Sequence, residues 1–186
     1  HCGTAGEPAG LMAVGLRRAE SGSGAVSGTG RGLFVAADAV RVVASFSGRY
    51  RNAARLVAER ISAEPRDTAV SPIGGNEPQA LVNQACLDIA AGDADTVLIC
   101  GGEAWRTRSS ATREDLGWTV QSDAVPAARL TGPEVELNHP AEVARGLFMP
   151  TLVYPLFEQA LRHRAGRSVD DHLAHLGELW AGFSDV

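Results

Sequence analysis

Two stretches of sequence decide the fold, Ser71-Pro72-Ile73-Gly74-Gly75-Asn76-Glu77-Pro78-Gln79 and Asp95-Thr96-Val97-Leu98-Ile99-Cys100-Gly101-Gly102-Glu103-Ala104-Trp105. The first stretch predicts the end of a strand, a glycine turn and the start of a helix. The second predicts a strand covered on both faces, because it is continuously apolar after Thr96, and then a second glycine turn. A strand, helix and strand in this order place chemistry at two neighbouring loops.

The segment between these stretches predicts a well-defined helix. We expect Asn76 to cap it, with Gln79 completing a capping box and Pro78 in the first turn. We expect Gly92 to end it in the left-handed conformation. One apolar stripe follows helical spacing: Leu81, Val82, Ala85, Cys86 and Ile89. The free amides at its start favour negative charge at the turn 74–76, although a purely structural tight turn is the alternative.

The remaining sequence predicts an α/β fold with a mainly parallel sheet, because helical and strand patterns alternate. The predicted elements are a helix over 9–20, a flexible linker over 21–32, a strand over 40–46, a helix over 51–61 and a strand over 68–73. Residues 106–147 lack periodicity and predict a long functional loop. Two helices follow, over 151–165 and from a capping box at Ser168.

Composition excludes several functions. The 186 residues carry a net charge of −5, which argues against nucleic acid as a partner. All 17 basic residues are Arg, so Schiff-base chemistry by lysine is excluded within the chain. Cys2, Cys86 and Cys100 do not form a disulfide framework, which suits a cytoplasmic location. The sequence shows neither a signal peptide nor an apolar run that would span a membrane.

The residues from about Ala9 onward resemble the thiolase superfamily, and look closest to its acetyl-CoA acetyltransferase and sterol-carrier-protein-type branch. Four segments carry the resemblance, 74–79 before the central helix, Cys100-Gly101-Gly102-Glu103-Ala104-Trp105 after it, and the late segments 154–158 and 179–184. It implies the N-terminal half of a thiolase-like αβαβα fold. We expect an α/β domain over 1–105, a loop domain over 106–186 and a C-terminal half that is absent from this fragment.

The resemblance also implies an acyl-CoA ligand, but the nucleophilic cysteine of the family is missing from this chain's turn. Thiolases attack acyl-CoA with a cysteine at the N-terminus of the helix that begins here near Asn76, where a thiol pKa is lowered. The turn Gly74-Gly75-Asn76 contains no cysteine. We expect Cys86 to face the core and Cys100 to be a small buried hydrophobe. Asn76 then becomes the candidate catalytic donor to a thioester or enolate oxygen.

The candidate residues for binding the substrate or CoA are Gly74, Gly75, Gly101, Gly102, Glu103, His139 and Met149. Three of them have alternative roles: Glu103 as the partner of Arg106 or Arg108 that holds its loop, His139 as a solvated loop residue, and Met149 as plain core packing. No metal is expected, and His163, His172 and His175 are expected to be exposed.

Three functions remain open within the superfamily. The first is acyl-CoA C-acyltransferase activity without the usual cysteine. The second is CoA binding by a catalytically degenerate relative, and the third is a retro-aldol lyase acting on steroid side-chain CoA thioesters. A Rossmann-type nucleotide binder is the alternative outside it, although the three-glycine fingerprint is missing. The expected partners are acyl-CoA or CoA and a second copy or partner subunit, with no cofactor other than CoA as the substrate carrier.

Overall fold

The computed structural model describes residues 6–23, 32–110 and 115–185. The chain divides into two compact units, His1–Val135 and Glu136–Val186. The first unit extends past Trp105 because later residues bind it: the Thr119 amide donates to Glu7, and a short strand pairs with its sheet. The predicted assignment of 1–105 and 106–186 to two functional domains stays a prediction. Most of the predicted linker, residues 24–31, lies outside the described residues.

In its described residues, the first unit contains four helices and four strands in alternation. They are α1 (Pro8–Ser23), β1 (Ala39–Val42), α2 (Ala53–Ile61), β2 (Asp67–Val70), α3 (Glu77–Ala91), β3 (Val97–Cys100), α4 (Trp105–Ser110) and β4 (Arg129–Leu130). The second unit contains α5 (Pro140–Ala144), α6 (Pro150–Arg164) and α7 (Val169–Ser184). The predicted loop over 106–147 therefore includes β4, α5 and most of α4.

The four strands form one sheet in the order β3-β1-β2-β4, and every neighbouring pair is parallel. Val40 in the central strand β1 lies opposite Thr68 of β2 and Leu98 of β3. The chain moves from β1 to β2 on one side and then returns to β3 on the other. Right-handed crossovers in these two directions place α2 and α3 on opposite faces of the sheet. The predicted α/β fold with a parallel sheet is confirmed.

The core lies on the α2 face of the sheet, where α1 packs against α2. The side chains of Met12, Val40, Val57 and Ile61 are buried in it. The opposite face is covered by α3, of which only Leu81 and Ala85 are buried. Strand β3 is correspondingly half-buried except at Leu98, so the prediction that it is covered on both faces is wrong.

Cys86 does not face the core, contrary to the prediction, because it is exposed on α3. The predicted stripe includes Val82 and Ile89, and both of these side chains are also largely exposed. The sequence pattern marked the apolar residues of the helix correctly. It did not show that α3 turns only a narrow face, through Leu81 and Ala85, toward the sheet.

Asn76 does not cap α3, which corrects a second prediction. Its backbone is already helical, with φ −85° and ψ −12°, and its side-chain amide donates to Oε1 of Glu77 at 3.1 Å. An N-cap needs non-helical dihedrals for its side chain to reach back to the free amides. Gln79 instead donates to Asn83 at 2.8 Å. The predicted end of the helix is correct, since Gly92 has φ 79°.

The second unit consists of short α5 and the longer helices α6 and α7. Ser168 caps α7 as predicted, because its hydroxyl accepts from the Asp171 amide at 3.1 Å. His172 is buried rather than exposed, since its Nε2 lies 2.8 Å from Oε2 of Glu158 on α6. In the ranges that the structure describes, no helix combines the length and apolar character needed to cross a bilayer.

Candidate functional site

The candidate site lies at the carboxyl edge, defined here as the edge of the sheet at which β1, β2 and β3 end. Because β1 is central and the chain leaves it first toward β2 and later returns to β3, this edge contains a topological switch point. Ligands of open α/β sheets bind in the crevice outside such a point. Three loops meet there, residues 43–52 after β1, residues 71–76 after β2 and residues 101–104 after β3.

The turn Gly74–Asn76 is open to a ligand. Gly75 and Asn76 are exposed, and a Cβ added at Gly75 would meet no atom within 4 Å. Helix α3 has no side-chain cap. Of its first amides, that of Glu77 donates to the Gly74 oxygen at 3.2 Å and Pro78 has no N–H, so the Gln79 amide is the one without an acceptor among the described contacts. Unpaired amides at a helix start attract negative charge. The turn can therefore receive an anionic group or a carbonyl oxygen.

Gly101 and Gly102 have a packing reason for being glycine. A Cβ on Gly101 would lie 3.1 Å from Cβ of Val43. A Cβ on Gly102 would lie 3.1 Å from Cγ of Met12 and 3.2 Å from the backbone oxygen of Pro8. This turn approaches β1 and α1 so closely that side chains are excluded. Whether its backbone also contacts a ligand stays a prediction.

Glu103 joins the loop after β3 to the loop after β1. Its carboxylate accepts from the amides of Phe46 at 2.8 Å, Ser47 at 3.1 Å and Ala104 at 2.9 Å, and from the hydroxyl of Ser47. Glu103 therefore holds its own loop, as the structural alternative proposed. It does so by binding the loop after β1 and, among the described contacts, not through Arg106 or Arg108. Sequence analysis missed the contribution of Ser45, Phe46 and Ser47. The Ser-x-Ser pattern after a strand is the one signal that was present.

The hydrogen bonds keep Glu103 ionised. Burial raises the pKa of its carboxyl group, but the donors from Ser47, Phe46 and Ala104 outweigh burial and hold the pKa below its ordinary value. The carboxylate is thus a negative charge placed at the switch point and satisfied almost entirely by backbone amides.

Neither described thiol is placed for nucleophilic attack. Burial raises the pKa of the Cys100 thiol to about 12, so it is protonated at neutral pH. Cys86 is exposed, but it lies more than two helical turns beyond the start of α3. The prediction of Cys100 as a small buried hydrophobe is confirmed in part, because the residue packs against the core but is only partly buried.

His139 and Met149 belong to the second unit. The His139 ring caps α5, with Nδ1 accepting from the Ala141 amide at 3.2 Å, and its own amide donates to Glu142 at 2.7 Å. Met149 precedes α6 and its side chain is half-exposed. Their predicted contact with substrate stays a prediction, and His139 has a structural role that the sequence did not show.

The opposite edge of the sheet holds a charged cluster that sequence analysis also missed. Buried Arg41 binds Asp67 and lies 3.3 Å from Asp88, while Arg129 donates to Asp67 at 2.6 Å. Burial raises the pKa of Asp67, but Arg129 and Arg41 lower it below its ordinary value. A cavity of about 260 Å³ lies beside the cluster and is also lined by Asp38. These paired charges explain how Arg41 is tolerated inside β1.

Comparison with known proteins supports the fold. No protein-family model matches the sequence, and no curated protein matches it. Among solved structures, the chain is similar to a monomeric SCP2-thiolase like protein type 1 from Mycobacterium smegmatis, at 27% identity and a TM-score of 0.60. The match covers 96% of this chain and 31% of that protein, so this chain spans about a third of its length. The fold of the chain is thiolase-like.

Proposed function

We propose that this chain forms part of a CoA-thioester site and binds acyl-CoA without forming a covalent acyl-enzyme. The carrying observation is the open, cysteine-free turn Gly74–Asn76 at the start of α3, at the carboxyl edge of a thiolase-like fold. The structural neighbour is named as an SCP2-thiolase like protein, and this name supports a CoA thioester as the ligand. The two described thiols support a non-covalent mode, because Cys100 is protonated and Cys86 is remote from the turn.

The turn supplies two kinds of donor to such a ligand. The first is the Gln79 amide in the first turn of α3, where the helix dipole favours a phosphate or the polarised oxygen of a thioester. The side chain of Asn76 is exposed, and its amide is bonded only to the neighbouring Glu77 in the contacts of the described residues. A small movement of that side chain would place a neutral donor beside the same oxygen.

Calorimetric titration with acetyl-CoA tests the proposal. Asn76→Asp adds a negative charge at the turn, so we expect binding of the anionic ligand to weaken by about tenfold, or about 1.4 kcal/mol. The same charge suits a helix start, so the variant should fold. Asn83→Asp is the matched control, since it makes the same exchange at an exposed position further along α3. Equal affinities for the two variants, or no binding by the wild type, would reject the site.

Acyl transfer of the acetyl-CoA acetyltransferase type is the second candidate, and the exposed Asn76 side chain favours it. A donor at this place would stabilise the negative charge that develops on the thioester oxygen. The test follows thiolysis of acetoacetyl-CoA by CoA through loss of enolate absorbance. Turnover that falls at least a hundredfold in Asn76→Ala, on the order of one oxyanion donor, supports transfer. Binding of acetyl-CoA without turnover would instead support the first proposal, non-covalent binding.

A further inference from the structure

A carboxylate of the chain already occupies an anion site at the switch point. The site is formed by the amides of Phe46, Ser47 and Ala104 and the hydroxyl of Ser47, which we call the amide cradle, and its occupant is Glu103. The described ion pairs of the chain join Arg or His to Asp or Glu, and none of them involves Glu103. The cradle therefore recognises a carboxylate by directed hydrogen bonds.

The cradle is held in place independently of its occupant. Ser47 is 1% exposed, and its hydroxyl also accepts from the Ala104 amide at 3.0 Å. The Ser45 hydroxyl accepts from the Gly48 amide at 2.9 Å and fixes the same turn. The backbone on the other side is fixed by the close packing of Gly102 on α1. Donors held by separate contacts keep their geometry when the occupant leaves.

The occupant, in contrast, is able to move. Glu103 is an exposed residue, and its side chain reaches the cradle through rotatable bonds from a fixed backbone. Phe46 beside the cradle is 57% exposed. Rotation of Glu103 into water would empty the cradle at the cost of these hydrogen bonds.

We propose that the amide cradle is a binding site for a small carboxylate, which Glu103 fills as a built-in occupant until an external carboxylate displaces it. The tethered side chain has a high effective concentration, so it competes strongly with free ligand. Removing Glu103 should therefore reveal the site. This proposal does not depend on binding of CoA, because it concerns a different set of donors.

Chemical rescue tests the proposal. In Glu103→Ala the melting temperature should fall, and sodium formate should raise it in a saturable manner by about 2–4 °C more than sodium chloride at equal ionic strength. The wild type and Glu59→Ala should respond equally to the two salts. Glu59 is a matched control because it is exposed and its hydrogen bond comes from the Arg55 side chain. Adding Ser47→Ala to Glu103→Ala should remove most of the rescue.

A formate response of Glu103→Ala no larger than that of Glu59→Ala would overturn the proposal. Glu103→Gln provides a second test, since the neutral side chain keeps the size of the occupant and should preserve folding. On titration with formate, the amide resonances of Phe46, Ser47 and Ala104 should shift at low concentration in Glu103→Gln and at much higher concentration in the wild type, where formate must displace the tethered Glu103. Absence of those shifts in Glu103→Gln would also overturn it.

Discussion

Burial separates the reactivity of the two cysteines in the described part of the chain. The ordinary pKa of the thiol is 9.0, and burial raises that of Cys100 to about 12, whereas Cys86 is exposed. Only the thiolate is nucleophilic. At pH 8 we therefore expect iodoacetamide to label Cys86 at least about tenfold faster than Cys100, as measured by peptide mass mapping over time.

The control for this prediction is the unfolded chain, in which both thiols should react at similar rates. Labelling of folded Cys100 as fast as Cys86 would contradict the account, and it would restore Cys100 as a candidate nucleophile.

Glu7 is a buried carboxylate of the first unit. It is 1% exposed and binds Arg60 and the Thr119 amide, the latter at 2.7 Å. Replacing one partner of a buried ion pair leaves the other charge without compensation. We expect Glu7→Gln to lower the free energy of unfolding by about 3 kcal/mol in urea denaturation.

Glu59→Gln is the comparison for Glu7→Gln, because its ion pair with Arg55 is exposed on α2. An exposed helical pair contributes less than about 0.5 kcal/mol. If the two variants lose the same stability, the contacts of Glu7 do not hold the segment around Thr119 to the rest of the first unit.

Individual side-chain partners were the least predictable part of the site. Glu103 and Ser47 are 56 residues apart in sequence, and only the parallel pairing of β1 with β3 brings their loops together. The sequence did mark Glu103 and the turn Gly74–Asn76, because both follow predicted strands. It placed the Asn76 side chain wrongly, since capping depends on a dihedral angle that the residue type does not fix.

At the scale of elements, the packing of the turn after β3 on α1 gives a sharp prediction. Gly102→Ala places a Cβ 3.2 Å from a backbone oxygen and 3.1 Å from the Met12 side chain. Overpacking of this kind costs about 1–3 kcal/mol, which thermal and urea unfolding should show. Gly75→Ala is the control, since the added Cβ meets no atom within 4 Å. An equal effect of both changes would mean that α1 does not pack as described.

Most elements could be predicted from local sequence signals, but the elements that pack against them could not. Apolar spacing located α1, α2 and α3, and glycine marked the end of α3. Exposure of Cys86 was not predictable, because an apolar helix position is buried only where a second element covers it. Short β4 was missed, since two residues carry no period that distinguishes a strand from a loop.

For the whole molecule, several carboxyl groups link stability to pH in the same direction. The pKa values of Glu7 and Asp67 lie below their ordinary 4.5 and 3.8; burial raises them, but hydrogen bonds and neighbouring Arg residues outweigh burial. Such groups stabilise the folded chain above the ordinary pKa, and this contribution is lost as pH falls through the folded pKa.

Unfolding free energies should accordingly be nearly constant above about pH 5 and fall steadily below it. In Glu7→Gln the slope below pH 5 should be smaller, because one of the linked groups is gone. A wild-type stability that stays level down to about pH 3 would exclude this linkage.

The thiolase-like fold was predicted from a resemblance that covers most of the chain, and the order of its segments specifies more than any single motif. The function was predicted less fully. The usual cysteine is missing from the turn Gly74–Asn76, and the chain spans about a third of its structural neighbour. Acyl-CoA binding is thus the part of the proposed function that can be tested with this chain by itself.

The acyl-CoA site at the carboxyl edge can be tested by titrating the 186-residue chain with acetyl-CoA and mapping the amide chemical shifts. The account predicts saturable shifts in the turn Gly74–Asn76 and in the first turn of α3, with little change around Asp38 and Arg66 at the opposite edge. Intact mass should show no acetyl adduct. Shifts confined to the opposite edge, or none at saturating ligand, would contradict an acyl-CoA site at the carboxyl edge.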